Sequence, residues 1–205
     1  MSAALAPGFL IASPPLGDPN FERTVVLLAM HGPQGALGFV INRIAPLVLG
    51  EVMSLAGYGQ EWSHASGPVH SGGPVEPGSG WVLIGDPKIG GQPAGAIDVS
   101  PIVRISSSRE AFDKLASDLG PTLKGLADKG KPTHVDIGRR LVFLGYSGWG
   151  PNQLETEIAH GAWLPAPFDE KLLFDVELDR RWEAAHALIG VAPAMGMAMR
   201  TIGEA

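Results

Sequence analysis

The apolar residues of this chain come in short runs closed off by proline, glycine and aspartate, and runs of that length make strands more readily than long helices. Residues 8–13 (GFLIAS) and 24–31 (TVVLLAMH) read as buried strands on either side of a loop, Pro14-Pro15-Leu16-Gly17-Asp18-Pro19-Asn20-Phe21. That loop holds too much proline to pair as a strand, and Asp18 and Asn20 are residue types that bond their own backbone in turns. Residues 35–42 (GALGFVIN) form a third strand, joined to the second by the short Gly32-Pro33-Gln34 turn as a hairpin. Further strands are expected at 81–85, 102–106, 141–146 and 163–167. Residues 66–80, dense in glycine, proline and serine, are expected to be an ordered loop with one extended piece at 69–71.

Helices fall between these strands. A short one is expected over 50–58, with Val52, Leu55 and Ala56 at helical spacing. Ser107 and Glu110 have the spacing of a capping box, followed by Phe112, Leu115, Ala116 and Leu119 on one face; Gly120-Pro121 should stop that helix, with 122–131 expected to hold another helical turn or two and then a solvated linker. Pro151 is placed to open another, carrying Leu154 and Ile158 and ending at Gly161. Asp179 is expected to cap a last helix with Trp182, Ala185, His186 and Ile189 as its stripe, leaving 192–205 as a poorly ordered tail. Strands come in antiparallel-looking groups without regular strand–helix alternation, so the expected class is α+β in a single domain over 1–205, with its core at about 8–191.

Composition removes several kinds of chemistry. The 205 residues include no cysteine, which rules out disulfides, thiolate metal sites and cysteine nucleophiles, and fits a cytoplasmic protein. Residues 1–16 lack the basic start and apolar run of an export signal, and no apolar stretch approaches the roughly 20 residues that span a bilayer. Fifteen basic against 21 acidic residues give a net charge of −6, a field that repels phosphate backbones and disfavours direct nucleic-acid binding. The one locally basic stretch runs from Arg104 to Arg140 and reads as a solvated helical face.

Three constellations resemble sites and fall short. Gly145-Tyr146-Ser147-Gly148-Trp149 follows a strand and precedes a helix, as a nucleophile elbow does, yet Trp149 stands where the elbow needs a small residue. The six histidines show no ligand spacing, so neither a metal nor a cofactor is expected. Glu155 and Glu157, two apart on a helix, point in different directions and do not make an acid/base pair.

Taken together, Asp18-Pro19-Asn20-Phe21-Glu22-Arg23-Thr24, His31 with 35–42, Gly72-Gly73-Pro74-Val75, 145–149 with Gln153-Leu154-Glu155 and Glu157, Trp163-Leu164 and Arg181-Trp182 resemble the AlgH/YqgE family of bacterial proteins. The chain departs from that family's usual residues at Ile44 and Gly161, and the family often has alanine at the position of Ser147. The resemblance implies a bifurcated, mainly antiparallel sheet folded into a pseudo-barrel with helices outside, and a family that is uncharacterised but carries a transcriptional-regulator label drawn from an alginate-synthesis phenotype.

The reading that follows is a non-enzymatic binding or regulatory protein that acts through a protein partner or a small ligand. Its candidate surface is Asp18, Asn20, Phe21, Arg23, His31, Asn42, Trp149, Gln153 and Glu155. A plainer alternative makes Asp18, Arg23 and Glu155 a buried ion network that pins loops together. The rival functions are a hydrolase or transferase using the Ser147 turn, and a DNA-binding regulator using the 104–140 stretch.

Overall fold

The computed structural model describes residues 5–13, 16–85, 93, 95–127 and 133–192, the side chains of 60, 121 and 124–127 excepted. In chain order its elements are β1 (Gly8–Ala12), β2 (Val25–Gly32), β3 (Gly35–Val40), α1 (Leu49–Leu55), β4 (Ala65–Ser66), β5 (His70–Ser71), β6 (Val75–Ile84), β7 (Ile97–Ser100), β8 (Val103–Ser106), α2 (Arg109–Ala127), β9 (Thr133–His134), β10 (Arg140–Trp149), α3 (Gln153–Ala159), β11 (Trp163–Pro167), α4 (Glu170–Phe174) and α5 (Arg181–Leu188), with short 3₁₀ turns at Gln60–His64 and Leu178–Arg180. They fall into two compact units, the first built from residues 1–43, 72–77 and 146–205 and the second from 44–71 and 78–145.

In the first unit the strand order is β11-β1-β2-β3-β10. β1 runs antiparallel to β2, from Gly8↔Leu28 to Ile11↔Val25, and to β11, from Gly8↔Pro167 to Ala12↔Trp163. β2 and β3 form the hairpin, closed at Gly32↔Gly35, with a bulge between Leu28 and Met30. A strand with neighbours on both sides and covered faces needs apolar residues without alternation, and 25–29 (VVLLA) are all buried. Leu10, Val26, Leu28, Val40, Leu154 and Trp163 join in one apolar cluster, each such side chain contributing about 1.5–3 kcal/mol on burial.

In the second unit the order is β10-β6-β8-β7, with β5 pairing parallel to β10 at Phe143↔His70 and Leu144↔Ser71. β4 and β9 form a separate two-stranded pair. The stripe Phe112, Leu115, Leu119 and Leu123 of α2 is buried against a cluster that includes Leu49, Met53 and Trp62. The sheet is mainly antiparallel and branches at β10, and neither run of strands closes into a barrel among the described residues. No helix among those residues is long and apolar enough to cross a membrane.

Several boundaries differ from expectation, each for a local reason. α2 continues through Gly120-Pro121 to Ala127, because Leu123, fully buried, extends the stripe. Its cap is Ser108 rather than Ser107: the Ser108 hydroxyl accepts from the Ala111 N–H at 3.3 Å. β6 begins at Val75, inside the expected loop, and Gly80 suits the strand because a side chain there would run into the Phe112 ring. Ser147-Gly148-Trp149 is the end of β10, not a turn. α3 starts after Asn152, not at Pro151. Asp179 lies in the 3₁₀ turn before α5 instead of capping it. Strand β7 and helix α4, the latter capped by the Asp169 carboxylate on the Lys171 N–H, were not expected at all. The proposed tail, 193–205, lies outside the described residues.

Candidate functional site

All nine residues singled out above lie in the first unit, and there the structure divides them. The loop preceding β2 is folded on its own backbone: the Asp18 carboxylate accepts from the Asn20 N–H at 2.8 Å, and the Asp18 carbonyl accepts from the Phe21 N–H. Thr24 donates its hydroxyl and its N–H to the Phe21 carbonyl. Arg43, which sequence reasoning missed, spends its guanidinium on the carbonyls of Pro19, Asn20 and Glu22 at 2.7–3.1 Å. Asn42 accepts from the Val25 N–H and donates to the Arg23 carbonyl. Every carbonyl from Asp18 to Arg23 therefore has a donor, so the loop's shape is fixed through its backbone, while the side chains of Asn20, Glu22 and Arg23 stay exposed.

Phe21 turns inward. Its ring lies 6.5 Å from that of Trp149 and 5.3 Å, edge-on, from that of Trp163. The two indoles share one acceptor: Glu157 takes the Trp149 Nε1–H at 2.9 Å, the Trp163 Nε1–H at 2.7 Å and, on its other oxygen, the Gln153 amide at 2.8 Å. Gln153 in turn accepts from the Gly150 N–H. This is a brace between α3 and strands β10 and β11, with both indoles buried and their donors satisfied. Glu157, weighed in the sequence only as half of an acid/base pair and as part of the family pattern, is absent from the candidate surface, although its position four residues after Gln153 and between two tryptophans was a usable signal.

His31 and Glu155 form a separate pair, Nε2 to Oε1 at 3.0 Å. His31 Nδ1 accepts from the Leu5 N–H at 3.3 Å, so Nε2 carries the proton it donates to Glu155. The Glu155 carboxyl is held below its ordinary value, first by its own backbone N–H and then by His31. A histidine placed for general-base work keeps one nitrogen free for a substrate; here both are engaged.

Asp18, Arg23 and Glu155 do not form one ion network. Asp18 closes a turn, Glu155 holds His31, and Arg23 lies over Trp182 with its guanidinium carbon 4.5 Å from the ring centroid. Among the described residues of this unit the buried cation is Arg181, donating to the carbonyls of Ile41, Leu173 and Val176. Burial pushes it down to about 10, against an opposing pull from Glu177.

Ser147 is fully buried in β10 and donates its hydroxyl to the Gly72 carbonyl at 3.1 Å. Gly73 is pressed against it: at φ +152, any side chain would collide with Tyr146 and the Ser147 hydroxyl. A hydroxyl so enclosed offers no approach to a substrate carbonyl. His186, also buried, bonds the Trp182 carbonyl through Nδ1. No group of three or more His, Asp or Glu that could hold a metal occurs among the described residues. In the second unit the basic stretch is largely paired: Arg104 with Asp98, Arg109 with Asp113, and Lys114 and Arg140 with Asp118.

What these features define is an α+β scaffold with a braced polar loop. A profile for the AlgH-like family matches residues 9–194, and the chain belongs to that family. It is 40% identical to a UPF0301 protein of Anaeromyxobacter sp. (strain Fw109-5), over 93% of this chain and 91% of the relative. It is also 40% identical to a UPF0301 protein of Thioalkalivibrio sulfidiphilus (strain HL-EbGR7), over 89% and 88%. The solution structure of the AlgH protein from Pseudomonas aeruginosa matches with a TM-score of 0.69 and 32% identity, covering 100% of this chain and 97% of that one. The crystal structure of DIP2367 from Corynebacterium diphtheriae shares the fold at a TM-score of 0.57 and 18% identity, over 87% and 84%.

Proposed function

We propose that the chain is a non-enzymatic binding and regulatory protein of the cytoplasm, a single domain that influences transcription only indirectly, through a protein partner or a small ligand. Its working face is the loop from Asp18 to Thr24. One observation carries this reading: the loop's carbonyls are all taken up by Arg43, Asn42, Thr24 and its own turn, while Asn20, Glu22 and Arg23 are exposed. A loop made rigid through its backbone presents its side chains in one arrangement, which lowers the entropy cost of binding. The enzymatic alternative has less support, because the Ser147 hydroxyl is enclosed and bonded.

The test compares wild-type protein with a variant carrying Asn20→Ala, Glu22→Ala and Arg23→Gly, each used as bait in native lysate and read by native mass spectrometry. Apart from the stacking of Arg23 on Trp182, the substituted side chains make no hydrogen bond or ion pair with any described residue, and glycine suits the backbone at position 23, so the variant should fold. Loss of the wild-type's captured protein or ligand is expected; an unchanged set would reject this face.

A further inference from the structure

We propose that Arg23 stacked on Trp182 is a carboxylate-binding subsite, an inference that rests on the reading of this loop as the binding face. The backbone of Arg23 sits at φ +52, in the left-handed region that favours glycine. A long cation occupies this position at an energetic cost, and its guanidinium carbon is held 4.5 Å from the Trp182 centroid, the geometry of a cation–π contact. The indole beneath is firmly set: Trp182 is 7% exposed and meets the His186 ring edge-on at 4.3 Å. Its Nε1 is buried with no acceptor among the described residues, so packing alone fixes the ring.

Arg23 differs from two other arginines of the same unit. Arg43 spends its N–H groups on the carbonyls of Pro19, Asn20 and Glu22, and Arg181 on those of Ile41, Leu173 and Val176. The Arg23 guanidinium makes no hydrogen bond or ion pair with any described residue, and the residue is exposed. Stacking orders a planar fork without using its edge, and an ordered fork of N–H donors matches a planar carboxylate through two parallel bonds. Charge decides between oxyanions. One guanidinium neutralises one negative charge, and the exposed neighbour Glu22 together with the chain's net −6 opposes the second charge of a phosphate dianion.

The carboxylate could belong to a small acid or to an acidic side chain of a partner. Proton–nitrogen NMR of the full chain, following the Arg23 Nε–H and Trp182 Nε1–H signals at constant ionic strength, separates these sources. Sodium propionate, a monoanion, and a capped pentapeptide whose single charge is a central aspartate are the probes, with sodium phosphate and sodium chloride as comparisons. Saturable shifts at both signals are expected in the wild type with propionate or the peptide; the Trp182 Nε1–H shift is expected to weaken in Arg23→Lys and to be absent in Arg23→Ala, whose backbone spectrum otherwise stays that of the folded protein. Saturation by propionate alone identifies a small acid; tighter saturation by the peptide identifies a partner's side chain. Shifts no different from those of chloride, tighter saturation by phosphate, or saturation that persists in Arg23→Ala would overturn the subsite. A partner captured from lysate by wild type and equally by Arg23→Ala would also overturn it, while the wider role of the loop would stand.

Discussion

Replacing Glu157 by alanine should destabilise the first unit more than any exposed change in α3. The carboxylate accepts the indole N–H groups of Trp149 and Trp163, both buried, and the amide of Gln153, which is exposed and can turn to water. A buried donor left without an acceptor costs about 1–3 kcal/mol, so two would cost about 2–6. Water entering the space left by the side chain can satisfy one of them, which brings the expected loss to about 1–3 kcal/mol. Glu157→Gln keeps one oxygen for the indoles but loses the charge, and because charge-assisted bonds are about twice as strong as neutral ones it should cost about 1 kcal/mol. Urea unfolding followed by tryptophan fluorescence measures both. A double-mutant cycle with Trp149→Phe isolates the bond, since the cost of the smaller ring appears in both backgrounds and cancels. If Trp149→Phe costs the same with and without Glu157, or if Glu157→Ala loses less than about 0.5 kcal/mol, the brace contributes nothing.

Three further outcomes are expected. Ser147→Ala should lose about 1 kcal/mol, the worth of one intramolecular hydrogen bond, measured by thermal or urea unfolding, and should leave captured partners unchanged; wild-type labelling by a serine-reactive probe that disappears in this variant would contradict the enclosed hydroxyl. Pro121→Ala should stabilise the protein by about 1–3 kcal/mol in the same assay, because it restores a backbone donor inside α2. Burial, followed by the bond donated to Asp113, pushes the Tyr58 hydroxyl from 10.0 up to about 12. A folded value raised above the unfolded one contributes stability that is complete below pH 10 and lost as the pH climbs towards 12. Phenolate absorbance should show Tyr58 ionising near the upper value, and Tyr58→Phe should flatten the alkaline loss of stability.

Much of the first unit could be read in the sequence, because its strands are continuous apolar runs and its hairpin is closed by a glycine-proline turn. The same local reasoning failed where burial outweighed propensity. Gly120 and Pro121 should end a helix, yet burying Leu119 and Leu123 carries α2 past them. Gly78 and Gly80 should mark a loop, yet they lie inside β6. Ser147 looked like a turn because glycines flank it, whereas one of them, Gly148, simply continues β10.

At the candidate site, residue types singled out the loop but not the division of labour within it. Phe21, Trp149 and Gln153 support one another, while Asn20 and Arg23 face outward. The bracing roles of Arg43 and Glu157 were not read from the sequence, because the carbonyls that Arg43 holds lie about twenty residues away and the indoles that share Glu157 meet only in the fold.

The pairing of β1 has a consequence for how the protein comes to exist. Its first strand is flanked by β2, which follows at once, and by β11, whose Pro167 registers with Gly8. While the chain is still emerging from the ribosome, β1 to β3 can form no more than a three-stranded ribbon with an open edge. A protein stalled before residue 163 would expose that edge to other chains, so the arrival of β11, rather than the closing of the first hairpin, is what protects β1 from aggregation.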